Sequence, residues 1–239
     1  MSNIILFGGS SEIGIKVAEK IFTDSPRFDH ITLVSTSLQD SQWTVKWDPQ
    51  SATDVTDVLE KIVFEKDDIV IIATGYLGEP NLLEQPKFNL QEIEKIIRIN
   101  FEIPLFVLMG ASEELSKVGG GKIMVMTSTA AFPVLETNLV YGTAKRHLDD
   151  LALHLSRTLS KSNIDISVIR SGFVPTKLNE GRKATPFAIT ADQVADIVTK
   201  QINAKIIWTP SIFKLISLSL TWIPLMKKLA SKKVNASWH

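Results

Sequence analysis

Asn3-Ile4-Ile5-Leu6-Phe7-Gly8-Gly9-Ser10-Ser11-Glu12-Ile13-Gly14 opens the chain with an apolar run, a glycine-rich turn and the start of an amphipathic stretch. The run 3–7 reads as a buried strand and the stretch 12–23 as a helix. A turn of this composition lets the backbone approach a pyrophosphate, and the helix N-terminus offers free N–H groups to it. Gly8 and Gly14 would serve the tight turn and the close packing of helix on strand. Ser10 and Ser11 would donate hydroxyl hydrogen bonds to phosphate, with Ile13 completing the turn. A purely structural turn explains the glycines about as well, because many α/β turns carry them. The position directly after the first strand favours the phosphate reading.

The same alternation continues outward from this unit. Strands are expected at 30–35, 43–47, 68–73, 122–127, 164–170 and 205–208, and helices at 53–65, 90–117, 139–160 and 191–203. Thr190 with Gln193 forms a capping-box pattern for the last helix. Apolar, β-branched strands alternating with helices predict a parallel sheet covered by helices on both faces. Gly119-Gly120-Gly121 reads as a tight helix-to-strand connection. With no repeat or linker, the whole span 1–239 is expected to be a single domain.

The 239 residues include 26 basic and 26 acidic side chains. That balance argues against non-specific nucleic-acid binding, which needs a clustered positive field. The absence of cysteine excludes disulfides, zinc-thiolate sites and thiol catalysis, and no metal site is expected. The N-terminus lacks a basic region and begins a strand, so no signal peptide is expected, and the location expected is the cytoplasm.

Lys122-Ile123-Met124-Val125-Met126-Thr127-Ser128 ends an apolar run on a hydroxyl, and Tyr141 follows Ser128 by thirteen residues in Val140-Tyr141-Gly142-Thr143-Ala144-Lys145. Tyr141 and Lys145 are one helical turn apart and point the same way. A phenol beside an ammonium, with a hydroxyl from a neighbouring strand end, can move a proton onto or off a carbonyl oxygen. Asp48, after the strand 43–47, would accept from an adenine amino group, or simply cap the turn before Pro49. Ala73-Thr74-Gly75 ends the fourth strand in small residues that would let a ribose lie close, although a plain turn explains them too.

Together these features resemble the short-chain dehydrogenase/reductase family. The glycine turn, Asn100, Ser128, the Tyr141 and Lys145 pair, and Ser171-Gly172-Phe173-Val174-Pro175-Thr176 occur in that family's order over essentially the whole chain. The resemblance implies a doubly wound Rossmann domain with a seven-stranded sheet and a bound nicotinamide dinucleotide. It implies Tyr141 as the acid that protonates the substrate oxygen, Lys145 as the cation that lowers the phenol pKa and holds the nicotinamide ribose, and Ser128 as the donor that orients the carbonyl. Asn100 would place a water linking Lys145 to solvent. Gly172, Val174 and Thr176 would contact the cofactor's amide and phosphate region. At the end of the second strand, where the family reads Asp for NAD or Arg for NADP, stand Ser35, Thr36 and Ser37. No basic residue lies in the glycine turn, so NAD(H) is favoured over NADP(H). Glu12 stands where the family usually has glycine.

Ala73-Thr74-Gly75-Tyr76-Leu77-Gly78-Glu79, Ile99-Asn100-Phe101 and Ile207-Trp208-Thr209-Pro210-Ser211-Ile212-Phe213 are similar to a subgroup that reduces a polyprenyl-phosphate-linked 2-keto-pentose to its arabinose form for cell-envelope glycan synthesis. The segment 211–239 suits that substrate. It is apolar and Trp-containing, too interrupted by Lys214, Pro224, Lys227 and Lys228 to span a membrane, and followed by Lys232 and Lys233. Peripheral contact of 211–233 with the inner face of the cytoplasmic membrane is one reading; a core or subunit-interface segment is the other. The segment 177–188 would be a substrate lid, with Lys177, Arg182 and Lys183 available to a substrate phosphate. The resemblance further implies a homo-oligomer through the helices 90–117 and 139–160, and a partner oxidase that makes the ketone. Two alternatives stay open: a reductase of a soluble ketone, sugar or acyl compound, and a non-catalytic dinucleotide sensor or scaffold.

Overall fold

A computed structural model describes residues 1–37, 41–49, 51–79, 88–134 and 138–222. Seven strands form one sheet: β1 (Ser2–Phe7), β2 (Phe28–Ser35), β3 (Thr44–Lys46), β4 (Ile69–Ile72), β5 (Gly121–Ser128), β6 (Ile164–Ser171) and β7 (Ile206–Thr209). Their order is β3-β2-β1-β4-β5-β6-β7, with every neighbouring pair parallel. The helices are α1 (Glu12–Asp24), α2 (Ala52–Leu59), α3 (Leu90–Ile97), α4 (Ile103–Lys117), α5 (Leu139–Leu159), α6 (Ala191–Lys200) and α7 (Ile212–Trp222). The chain winds outward in one direction through β2 and β3, then returns past β1 to β4. The crevice between β1 and β4 is therefore the switch point, where ligands of open α/β sheets bind.

The strands read as continuous apolar runs because both faces are covered. Ile5, Phe7, Val70, Ile72, Ile123 and Val125 face one core, closed by Val107, Leu108 and Ala111 of α4 and Leu148 and Ala152 of α5. Their alternates Ile4, Leu6, Ile69, Ile71, Met124 and Met126 face the other, closed by Val17, Ala18 and Ile21 of α1 and Val194 and Val198 of α6. Fully burying each such side chain contributes about 1.5–3 kcal/mol. Helix α1 buries Gly14, Val17, Ala18 and Ile21, the spacing of a single helical face. Ser11 caps it by accepting from the Gly14 N–H at 3.2 Å, and Thr190 with Gln193 forms the expected capping box on α6.

The strand ends shift by one or two residues, and the helices differ more. The helix expected at 90–117 is interrupted by a π-helical turn at Arg98–Glu102. Asn100 is the physical reason: its Nδ2 donates to the Ile96 carbonyl at 2.8 Å, the acceptor that an unbroken α-helix gives to the backbone N–H of Asn100 itself. The helix expected at 53–65 ends at Leu59, where the Lys61 and Ile62 N–H groups turn back to Val58 and Leu59 and tighten the chain. The last helix before β7 stops at Lys200 instead of 203. The segment after β7 begins as the helix α7; residues 223–239, including Lys227, Lys228, Lys232 and Lys233 of the basic tail, lie outside the described residues. Among the described residues no helix is long and apolar enough to cross a membrane.

Candidate active site

The carboxyl ends of the central strands open into one cavity of ≈ 1230 Å³. The turn after β1 forms its floor. Gly8 has φ +87°, and a Cβ there would lie 2.8 Å from the Ala73 carbonyl carbon, so only glycine lets the ends of β1 and β4 meet this closely. The N–H groups of Gly8 and Gly9 both donate to the Val34 carbonyl at 2.9 Å, tying the turn to the end of β2. Ser35 Oγ donates to Ser10 Oγ at 3.2 Å beside them.

Tyr141 and Lys145 come from the first two turns of α5. Both line the cavity wall, yet they are only 7% and 3% exposed. A Cβ at Gly142 would meet the Ala130 carbonyl oxygen at 2.9 Å, so this glycine lets α5 lie directly against the turn that follows β5. That contact sets the Tyr141 phenol where the Ser128 hydroxyl acts on its titration, and Ser128 Oγ is steadied by the Ala130 N–H at 3.1 Å. Lys145 Nζ donates to the Thr74 carbonyl at 2.9 Å and the Met126 carbonyl at 3.3 Å.

Burial governs the titration of both groups. It pushes the Tyr141 phenol up, and the Ser128 hydrogen bond and the Arg182 charge only partly oppose it. It brings the Lys145 ammonium down from 10.5 to about 7, because its partners are neutral carbonyls. The phenol depression expected from Lys145 is thus absent here: burial dominates, and the Arg182 guanidinium is the charge that opposes it. Arg182 reaches in from the segment after β6, with Nη2 donating to the Gly78 carbonyl at 3.2 Å and Nη1 to Asn138 Oδ1 at 3.5 Å.

A buried brace sits behind this wall. Arg170 on β6 pairs with the fully buried Asp149 of α5 through Nε at 2.9 Å and Nη2 at 2.6 Å. Thr127 Oγ1 donates to the same carboxylate at 2.9 Å, one residue before Ser128. The Arg170 guanidinium lies over the rings of Phe132, at 3.9 Å, and Trp208, at 4.7 Å.

Most of the candidate residues meet in the cavity lining: the β1 turn through Gly8, Ser10, Ser11 and Ile13; Ser35 and Asp48 on the β2–β3 side; Ala73, Thr74 and Gly75 after β4; and Gly172 and Thr176 after β6. Three do not line it. Gly14 is wedged beneath the turn, where a Cβ would lie 2.8 Å from that of Ala73. Val174 is 1% exposed and packs in the core under α1 and α6. Asn100 is fully buried, with both Nδ2 hydrogens committed to the Tyr76 and Ile96 carbonyls and Oδ1 accepting from the Tyr76 N–H. Sequence reading missed Arg98, Tyr76, Phe132 and Phe213, which also line the cavity. The segments after β4 and β5 carry Tyr76 and Phe132, while the π turn and α7 carry Arg98 and Phe213.

A family model described as short chain dehydrogenase matches residues 2–186. An uncharacterized oxidoreductase of Mycobacterium tuberculosis is 23% identical over 235 residues, covering 92% of this chain and 93% of that relative. A short chain dehydrogenase from Burkholderia cenocepacia, solved in complex with NADP, superposes with a TM-score of 0.79 at 13% identity over 96% of this chain and 97% of that one. An NAD+-bound xylitol dehydrogenase superposes with a TM-score of 0.71 at 15% identity over 87% of this chain and 96% of that one. At these identities the two structures speak for the fold, while the family match runs through the glycine turn, Ser128, Tyr141 and Lys145, and so the chain belongs to the short chain dehydrogenase family.

Proposed function

We propose that this oxidoreductase works as a ketoreductase on a lipid-linked keto-sugar, with Tyr141 as its proton donor. The observation that carries the catalytic part is the meeting of Ser128, Tyr141 and Lys145 on one cavity wall. The lining fits a nicotinamide dinucleotide. Its charged side chains are Lys95, Arg98, Lys145, Lys177 and Arg182 against Glu12 and Asp48, a balance suited to a phosphorylated ligand. Thr74 Oγ1 is buried at this wall with no hydrogen-bond partner, as expected of a hydroxyl that meets a ligand. Gly8, Ser10, Ser11 and the first turn of α1 would hold the pyrophosphate, Asp48 the adenine end, and Lys145 and Thr176 the nicotinamide end. NAD(H) is favoured on the residues at 35–37, which include neither a carboxylate nor a cation.

When bound, the dinucleotide supplies a hydride to the carbonyl carbon. Ser128 donates to the carbonyl oxygen and holds it beside the phenol. Tyr141 gives its proton to that oxygen as negative charge develops there. A phenol kept protonated by burial suits this reductive direction. The Arg182 charge and the Ser128 hydroxyl favour the phenolate that remains. Asn100 contributes by fixing the loop on which Thr74 and Gly75 sit.

The substrate assignment rests on the motif similarity to decaprenylphosphoryl-2-keto-β-D-erythro-pentose reductase and on the mouth of the cavity. Phe213 and Ile216 of α7 line the cavity, while Ile212 and Leu215 of the same helix are 39% and 64% exposed. Phe187 of the 177–188 segment meets Phe213 edge-on at 6.2 Å. This apolar rim would pass a prenyl chain from the cavity to a membrane surface. A partner oxidase would supply the ketone. A homo-oligomer would use α4 and α5, which expose Met109 and Leu139. Purified protein given a polyprenyl-phosphate-linked 2-keto-pentose should oxidise NADH; turnover of soluble ketones alone would favour the broader reductase reading, and cofactor binding without turnover of any ketone the scaffold reading.

A further inference from the structure

Arg98 lines the cavity from the first position of the π turn. Its Nε is sealed from solvent and has no hydrogen-bond partner. Among the described residues no ion pair or side-chain hydrogen bond engages its guanidinium. Buried donors are nearly always satisfied, and a guanidinium donor left unsatisfied is more costly than a neutral one. A cation in this position on a cavity wall is built for an anion that arrives with the ligand.

Its surroundings say which kind. Lys95 precedes Arg98 by three residues, so both occupy one helical face. Lys95 lines the same cavity and lies 4.2 Å over the Tyr76 ring. Ile99 and Ile103, the next residues to reach the cavity, pack in the core cluster that contains Val34 and Trp47 at the ends of β2 and β3. Arg98 thus shares one cavity with Val34, Ser35, Trp47 and Asp48 at the ends of β2 and β3. The β2 exit offers only the hydroxyls of Ser35, Thr36 and Ser37. The interrupted helix is what creates the position: the π turn widens the backbone at 98–102 and is held open by the bond from Asn100 to Ile96.

We infer that Arg98 is a phosphate-binding residue of the dinucleotide site, supplying from the π turn the cation that the glycine turn and the end of β2 lack. The inference rests on the dinucleotide reading given above. Its ligand chemistry is a phosphate of the cofactor, either the pyrophosphate common to both nicotinamide dinucleotides or the 2′-phosphate of one.

The test is direct binding, read without turnover. NADH and NADPH are titrated into wild-type protein, Arg98→Gln and Arg98→Lys by calorimetry, at low and moderate salt. Arg98→Gln should weaken at least one cofactor tenfold or more and flatten its salt dependence, with Arg98→Lys recovering part of the loss. Equal weakening of both cofactors assigns the pyrophosphate; weakening of NADPH alone assigns the 2′-phosphate and displaces the preference for NAD(H). A thermal melt of the unliganded variant guards against misfolding: removing an uncompensated cation should leave the melting temperature unchanged or raise it. Wild-type affinity for both cofactors in Arg98→Gln overturns the inference and leaves the dinucleotide reading standing. Failure of wild-type protein to bind either cofactor overturns both.

Discussion

Asn100 and Tyr76 are joined in both directions: Asn100 Nδ2 donates to the Tyr76 carbonyl at 2.6 Å, and the Tyr76 N–H donates to Asn100 Oδ1 at 3.2 Å. One fully buried side chain thus fastens the loop after β4 to the interrupted helix. Thr74, two residues before Tyr76, presents the carbonyl that receives Lys145. The helix break, the loop and the candidate catalytic lysine are consequently one mechanical unit.

Removing that fastening leaves one N–H and two carbonyls without a partner. Asn100→Ala should therefore cost about 2–4 kcal/mol in urea denaturation. Asn100→Asp should cost a comparable amount, because a carboxylate cannot donate to the two carbonyls. A loss below about 0.5 kcal/mol in both variants would show that the loop is held by something else.

Lys145 makes stability depend on pH in a definite sense. Its folded pKa is about 7 against 10.5 for an ordinary lysine, so between these values the unfolded chain binds the extra proton and stability rises with pH. Below the folded value the penalty is fully present, about 5 kcal/mol for a shift of this size. Lys145→Met removes it at the cost of two carbonyl hydrogen bonds. The variant should be more stable than wild type by about 2–4 kcal/mol at pH 6. The difference should shrink as pH rises toward 10.5. A variant less stable than wild type at pH 6 contradicts this account.

Asp149 and Arg170 form a pair in which either partner alone is an uncompensated buried charge. Asp149→Ala should cost about 3–5 kcal/mol. Asp149→Leu combined with Arg170→Met should recover most of that loss, because the apolar pair can pack between Phe132 and Trp208. A double-mutant cycle in guanidinium measures the coupling; additive single losses would show that the pair does not act as a unit.

Glu12 Oε1 accepts from the Lys177 N–H at 2.8 Å, linking the start of α1 to the segment after β6. The bond is exposed, so about 1 kcal/mol is a fair estimate of its strength. Glu12→Ala should speed exchange of the Lys177 amide hydrogen by about fivefold while leaving the α1 core amides unchanged. Unchanged exchange at Lys177 would mean that Glu12 does not hold this segment.

The parallel sheet and the unit β1-turn-α1 were legible because period, burial and glycine chemistry all point the same way over 3–14. Tyr141 and Lys145 were legible as a pair because helix geometry alone puts them on one face. The π turn at 98–102 was not. Its residues are ordinary helix formers, and the break depends on Asn100 finding Tyr76 across the fold. Arg98 was invisible for the same reason. Helix α7 read only as an apolar segment, since Phe213 and Ile216 acquire a role only once β7 places them at the cavity mouth. The phenol pKa was expected to fall on account of Lys145; burial of both groups, which no local pattern reveals, reverses that.

Kinetics of Tyr141→Phe test the proton-donor assignment most directly. With a ketone that the wild-type protein reduces, NADH oxidation by the variant should fall by about 10²–10⁴-fold. Its affinity for the cofactor should stay within about twofold of wild type, since the ring remains and only the hydroxyl is lost. Turnover close to wild type in Tyr141→Phe would contradict the account, because the other tyrosine of the cavity lining, Tyr76, has its hydroxyl engaged by Glu92 at 2.8 Å.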